Sequence, residues 1–342
     1  MTQFRVALSS DFRKADGTPA FPSFDLSPLD RMDGLDWDHV PVTDGRIDAS
    51  DVAGFDALIL LGARFDADSF PGDGQLALIA RFGVGYDNVD VAACDANDVA
   101  LTITPNGVRR PVAVAILTYI LALSGKLMAK DRLTRQGPPG WAEKSAHMGE
   151  GLVGKVLGSV GVGNIGAEMF RMAQPLDMEF IAADPFADPA IAKGLGIELV
   201  SLEEVFRRAD FLAINCPLSD ATEGLVNAES LALMKPTSYL INTARGPIVD
   251  EAALIAALAS GQIAGAGLDV FEAEPSPADN PLFQMDNVIV TPHALCWTDQ
   301  CFAGIGADDI AAVAAVAGGE VPVGLVNPSI RNNPRWQAKL RR

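Results

Sequence analysis

Three phrases toward the end of the chain carry side chains suited to acid–base chemistry on a small anion. Residues 241–247 (Ile-Asn-Thr-Ala-Arg-Gly-Pro) supply Arg245, residues 269–275 (Asp-Val-Phe-Glu-Ala-Glu-Pro) supply Glu274, and Thr291-Pro292-His293 supplies an imidazole. A guanidinium grips a carboxylate through two parallel hydrogen bonds. A carboxylate beside an imidazole fixes its tautomer and favours its charged form, which suits a general acid or base near neutral pH. Taken singly, each residue has an ordinary alternative. An arginine after a strand is commonly a surface residue, and the spacing of Glu274 and His293 is not itself a motif.

A nucleotide loop lies upstream of all three. Gly161-Val162-Gly163-Asn164-Ile165-Gly166 follows an apolar run at 156–160 and leads into a helical pattern. Gly161 permits a tight turn, and Gly163 lets the backbone approach a pyrophosphate. Gly166 lets helix and strand pack closely, with the helix N-terminus facing the anion. Alone, such a glycine pattern is weak. Here an acid, Asp184, ends the next strand, which completes the dinucleotide fingerprint. Asp184 would bond the adenosine ribose and repel a 2′-phosphate, and Pro185-Phe186 offer no arginine to offset that. NAD is therefore expected rather than NADP.

The elements that must position these groups can be read from apolar periodicity. In the first hundred residues, runs of strand length fall at 4–8, 57–61 and 76–80, between loop-like stretches at 16–22 and 69–74. Residues 81–90 form a glycine-containing turn after the third run. Pro105-Asn106-Gly107 is expected to break the chain. Residues 112–124 read as a long buried helix, and 136–141 as a loop with a tryptophan anchor. Strands then recur at 155–160, 179–183, 211–215, 238–242, 264–269 and 288–291, with helical patterns at 165–173, 202–208, 251–258 and 304–317. Alternation of strand and helix implies parallel pairing. The expected fold class is α/β: two Rossmann-like or flavodoxin-like domains with doubly wound parallel sheets and a cleft between them. Residues 1–105 plus 298–342 are assigned to a substrate-binding domain and 106–297 to an NAD-binding domain, with 331–342 a basic surface tail.

Composition sets limits. With 342 residues, 49% of them hydrophobic, the chain suits two cores better than one. Its 26 basic and 44 acidic residues give a net charge of −18, which argues against nucleic acid or an anionic membrane as partner. An anionic substrate must then be drawn by local positive charge. Cys94, Cys216, Cys296 and Cys301 lack metal-ligand spacing, so no metal is expected and free thiols in a reducing compartment are. The N-terminus lacks the apolar stretch of a signal peptide, and the longest apolar run, 112–123, is about half of the ~20 residues a bilayer requires. A cytoplasmic protein is expected.

From about residue 57 to 328 the chain resembles the D-isomer-specific 2-hydroxyacid dehydrogenase family. The motifs that carry the resemblance are residues 81–90, 154–166, Asn215-Cys216-Pro217-Leu218 with Thr222, 241–251, 265–275 and Thr291-Pro292-His293. The resemblance implies hydride transfer between NAD(H) and a small 2-oxo or D-2-hydroxy acid, as in glyoxylate or hydroxypyruvate reductases or phosphoglycerate dehydrogenases. It implies Arg245 as the carboxylate anchor, Glu274 and His293 as the acid–base dyad, and the Val84 and Gly85 amides as further carboxylate donors. It places Asn164 and Ile165 on the pyrophosphate, Cys216 and Pro217 on the adenine side, and Asp269 with the backbone near Thr243 at the nicotinamide, and counts Thr222 and Ala244 among the cofactor-binding residues. Arg64, with Arg109 and Arg110, could serve a phosphorylated substrate. Glu274 argues against a formate-oxidising relative, which carries glutamine there. The reading from another class is a non-catalytic, NAD-sensing corepressor-like protein, and the intact Arg245–Glu274–His293 set argues against it. A homodimer through the helix at 112–123 and the loop after it is also implied. Departures from the family pattern at Val114, Asn106 and Ala294–Trp297 bear on the substrate rather than the reaction.

Overall fold

A computed structural model describes residues 3–341. The chain divides into two compact units, one formed by Met1–Val108 with Trp297–Arg342 and the other by Arg109–Cys296.

The first unit is built on five parallel strands, β1 (Phe4–Ser9), β2 (Leu35–Val40), β3 (Ala57–Leu60), β4 (Leu78–Arg81) and β5 (Ala100–Thr102), in the order β2-β1-β3-β4-β5. The central strands are continuous apolar runs because helices and loops cover both faces of a parallel sheet. All of Ala57, Leu58, Ile59 and Leu60 are fully buried. Two strands escaped the sequence reading. β2 alternates apolar residues with Asp36 and Asp38 at the sheet edge, and β5 has only three residues.

The second unit carries seven parallel strands: β6 (Val156–Val160), β7 (Glu179–Ala183), β8 (Ile197–Leu199), β9 (Phe211–Ile214), β10 (Tyr239–Asn242), β11 (Gly265–Leu268) and β12 (Val288–Val290). Their order is β12-β11-β10-β9-β6-β7-β8, so the winding reverses between β6 and β9. One core, with Phe206, Leu212 and Leu240, packs on one side, and another, with Tyr119, Phe170 and Phe211, forms separately. The edge strand β8, with Glu198 and Leu199 exposed, was also missed.

Four expectations are corrected. Pro105, Asn106 and Gly107 do not break the chain but open helix Pro105–Ser124. Proline is tolerated in a first helical turn, where its missing N–H has no intrahelical role, and the Asn106 and Gly107 amides are capped by Asp308 at 3.1 and 3.3 Å. That helix is not buried all round, since Val114 and Leu121 are exposed. The Gly/Pro-rich stretch forms a short helix, Pro138–Ala142, and Trp141 is 59% exposed rather than an anchor. The C-terminal segment is no surface tail. Asn333 caps helix Pro334–Lys339, Trp336 is fully buried and donates Nε1–H to the Ala77 carbonyl at 2.9 Å, and Lys339 bonds the carbonyls of Leu76, Asn97 and Asp98.

Helices Pro105–Ser124 and Asp299–Ala317 are long and apolar enough to cross a membrane by length and composition. Both contribute to the packed units: Ile116, Tyr119 and Ile120 are buried in the first, Ile305 and Val313 in the second.

Candidate active site

Open α/β sheets bind ligands outside the carboxyl ends of their strands, at the point where the winding reverses. In the second unit this is the gap between β6 and β9. Gly161 follows β6 with a φ of +99°, and a Cβ there would stand 2.7 Å from the Asn215 carbonyl oxygen after β9. Glycine lets these two loops meet. Gly163 caps helix Asn164–Ala173 with no side-chain hydrogen bond, and a Cβ on it would meet nothing within 4 Å. The Asn164 and Ile165 amides, in the first helical turn, have no acceptor among the described residues. Uncommitted amides beneath open space are what a pyrophosphate requires.

Asp184 follows β7 and accepts the Val162 amide on one oxygen and the Phe186 amide on the other, both at 2.8 Å. Its carboxylate is thereby held beside the glycine loop. Cys216 and Pro217 follow β9. The Thr222 hydroxyl donates to the Pro217 carbonyl at 2.6 Å and accepts the Ser219 amide at 2.8 Å, so Thr222 braces that loop. Burial pushes the Cys216 thiol up to about 11. Thr243 Oγ1 is buried without a hydrogen-bond partner among the described residues. The donor set and the open space fit a dinucleotide.

The three phrases leave consecutive, adjacent strands. Asn242 ends β10, accepts the Ala244 amide at 3.0 Å and donates to the Arg245 carbonyl at 2.9 Å, winding the arginine loop tightly. Arg245 Nη1 donates to the Ala244 carbonyl at 2.7 Å. Gly246 lies against the segment after β11, where a Cβ would stand 1.8 Å from the Phe271 carbonyl oxygen. Glu274, in that segment, accepts the Phe271 amide on Oε1 at 3.0 Å, and its Oε2 lies 2.8 Å from His293 Nδ1. Burial raises the Glu274 carboxyl. The hydrogen bonds from His293 and Phe271 and the charges of His293 and Arg245 outweigh this and hold it below the usual glutamate range. An ionised carboxylate only accepts. Nδ1 therefore carries the hydrogen that faces Glu274, and Nε2 is left to exchange a proton elsewhere.

His293 has a φ of +54°. A non-glycine residue held in the left-handed region costs of order 1–3 kcal/mol and persists where its surroundings over-determine it. Here Asp269, only 3% exposed, accepts the Ala294 amide at 2.9 Å, the Leu295 amide at 3.2 Å and the Thr291 hydroxyl. Asp269 thus ties down the loop that carries His293.

The remaining sequence candidates are not on these three loops. Arg64, Val84 and Gly85 belong to the first unit. Arg64 pairs with Asp66 at 3.1 Å. Val84 and Gly85 follow β4, and their amides have no acceptor among the described residues. Arg110 pairs with buried Glu168 at 2.9 Å and Arg109 approaches the same carboxylate at 4.0 Å, so both are committed to the helix of the glycine loop. The sequence reading missed Tyr119, whose hydroxyl bonds Thr291. The only signal was a lone aromatic in an otherwise largely aliphatic helix segment.

An all-parallel sheet with a glycine turn at its switch point, and a carboxylate–imidazole pair on loops of the same sheet, is the arrangement expected of a dinucleotide-binding α/β protein. Residues 117–294 match the family model for the NAD-binding domain of D-isomer-specific 2-hydroxyacid dehydrogenases. The chain is 33% identical to the glyoxylate reductase of Korarchaeum cryptofilum over 317 residues, 92% of this chain and 95% of that relative. It is 38% identical to the D-3-phosphoglycerate dehydrogenase of Mycobacterium tuberculosis over 273 residues, 80% of this chain and 51% of that one. The solved pyruvate reductase of Chlamydomonas reinhardtii has the same fold, with a TM-score of 0.74 at 29% identity over 94% of this chain and 98% of that one. The chain belongs to the D-isomer-specific 2-hydroxyacid dehydrogenases. It is an NAD-dependent hydride-transfer oxidoreductase.

Proposed function

We propose that the enzyme interconverts a small 2-oxo acid and the D-2-hydroxy acid, with Arg245 as carboxylate anchor and His293–Glu274 as the proton-transferring pair. The observation that carries this reading is the 2.8 Å contact between Glu274 Oε2 and His293 Nδ1, with the other carboxylate oxygen fixed by the Phe271 amide. NADH, when bound, supplies the hydride. The Asn164 and Ile165 amides would hold its pyrophosphate and Asp184 its ribose. Cys216 and Pro217 would line the adenine side, and the Thr243 hydroxyl, with Ala244, would face the nicotinamide. Asp184 also supports a preference for NAD over NADP, because its carboxylate would repel a 2′-phosphate.

In reduction, Arg245 grips the substrate carboxylate and polarises the carbonyl. Protonated His293 gives its Nε2 proton to the carbonyl oxygen, and Glu274 stabilises the imidazolium beforehand and accepts its hydrogen bond throughout. In oxidation, neutral Nε2 takes the hydroxyl proton. The uncommitted Val84 and Gly85 amides suit an anionic group in the same way. The ion pair of Arg64 with Asp66 gives no particular support to a phosphorylated substrate.

The test follows NADH absorbance against a panel of 2-oxo acids that includes glyoxylate, pyruvate, hydroxypyruvate and phosphohydroxypyruvate. His293→Ala is expected to lower kcat by about 10²–10⁴-fold with NADH binding intact. Arg245→Ala is expected both to raise KM and to lower kcat. Full turnover in the His293→Ala protein would overturn the assignment.

We also infer a homodimer. Leu121, Leu127, Met128, Trp141, Met148 and Val153 are exposed apolar side chains within one stretch of the second unit, a composition suited to a second copy of the chain. Light scattering should give twice the 36.0 kDa chain mass, and Trp141→Glu with Met148→Glu should yield the single-chain mass.

A further inference from the structure

The loop that carries His293 is held by a buried polar chain that begins on a distant helix. Tyr119, in helix Pro105–Ser124, is 1% exposed. Its ring lies over Gly267 of β11, where a Cβ would stand 2.6 Å from the ring. The phenol hydrogen-bonds Thr291 Oγ1, and Thr291 Oγ1 donates to Asp269 Oδ1. A hydroxyl has one proton to give. With the Thr291 proton directed at Asp269, the Tyr119 hydroxyl must be the donor in the first bond. Burial pushes the phenol well above its usual range, so it keeps that proton.

The chain brackets His293 from both sides. Before it, Thr291 gives its hydroxyl to Asp269 and its carbonyl accepts the His293 amide at 3.1 Å. After it, the Ala294 and Leu295 amides both reach Asp269. His293 passes between these fixed points in its left-handed conformation. The charged or titratable groups around the imidazole are Glu274 on Nδ1, Arg245 acting on Glu274, and Asp269 beneath the loop.

We infer that Tyr119 is a positioning residue for the proton-transfer step. Through Thr291 and Asp269 it fixes the backbone of His293, and so the direction in which Nε2 points while Nδ1 stays on Glu274. The inference rests on His293 being the proton donor, as proposed above. Tyr119 and Thr291 act only through the loop.

The experiment compares Tyr119→Phe, Thr291→Val and Thr291→Ser with the unaltered enzyme, using whichever 2-oxo acid is reduced best. Tyr119→Phe keeps the ring and removes the hydroxyl. It is expected to lower kcat by roughly 5- to 20-fold while both KM values stay within about twofold, the pattern of an interaction needed in the transition state rather than in binding. The solvent deuterium isotope effect on kcat should rise, because a misdirected imidazole makes proton transfer more rate-limiting. Thr291→Val should show the same signature more strongly, and Thr291→Ser, which keeps the hydroxyl, should restore most of kcat. Normal kcat and isotope effect in Tyr119→Phe would overturn the inference. So would a lowered melting temperature with both unchanged, or a Thr291→Ser protein no better than Thr291→Val. Should Tyr119→Phe not fold, the Val and Ser variants at position 291 decide. His293→Ala separates the two claims: turnover retained there refutes the role of His293 itself, whereas turnover lost there but normal in Tyr119→Phe refutes only the role of Tyr119.

Discussion

At the scale of single residues, the pair formed by Glu274 and His293 links protonation to stability as well as to chemistry. The Glu274 carboxyl is held below its ordinary value of 4.5 despite partial burial, chiefly through hydrogen bonds that the charged form accepts more strongly than the neutral one. A carboxyl depressed in the folded state contributes stability that is fully present above its unfolded value and is lost as pH falls through the folded value. Glu274→Gln removes that contribution. The melting temperature of Glu274→Gln should therefore fall below that of the unaltered protein at pH 7, and the gap should close as pH drops below 4.5. A gap that stays constant across this range would show that the bond lost on substitution is not charge-dependent. Thiol reactivity offers a separate check. Burial pushes Cys94 up to about 12 and Cys216 up to about 11, so neither should be alkylated in the native protein at pH 8, as peptide mapping after iodoacetamide treatment can show.

At the scale of elements, the site is made by three loops that leave β10, β11 and β12, neighbours both in the chain and in the sheet. Their closeness depends on Gly246, whose missing side chain lets the Arg245 loop lie on the Phe271–Glu272 backbone. Gly246→Ala must push those loops apart. We expect kcat/KM to fall by about 10²-fold, as for a misplacement of about 1 Å, with NADH affinity, measured by fluorescence titration, nearly unchanged because the glycine loop after β6 is untouched. The same arrangement explains what the sequence revealed. Gly161, Asp184 and Arg245 sit within three residues of the ends of buried strands, where a run of apolar residues announces the element and the next residues fall at its carboxyl edge; Glu274 and His293 follow six residues after β11 and three after the half-buried β12. Tyr119 could not be read in this way, because its partner Thr291 lies 172 residues further along and only packing brings them together. The edge strands β2 and β8 were hidden for another reason. Edges face solvent, so their residues alternate with acids and carry no continuous apolar run.

At the scale of the whole molecule, the first unit is discontinuous and closes on its own C-terminal segment. Trp336 was misread because one aromatic among basic and polar neighbours looks like a tail; six helical residues then place it wholly inside, bonded to the Ala77 carbonyl ahead of β4. Trp336→Ala should destabilise the first unit by about 3–5 kcal/mol. In urea, monitored by circular dichroism, this should appear as an early partial transition, with NADH titration showing the second unit intact. A single unshifted transition would refute it. The same contact governs the order in which a ribosome can deliver a finished protein. The seven strands of the second unit emerge as one uninterrupted stretch and can assemble during synthesis. The first five strands emerge earlier but must wait for Trp336, more than two hundred residues behind β5. At about 5–20 residues per second that delay is tens of seconds, with buried-type surface uncovered throughout. Sequence changes in the last turn of the chain should thus act on the yield of soluble protein before they act on turnover.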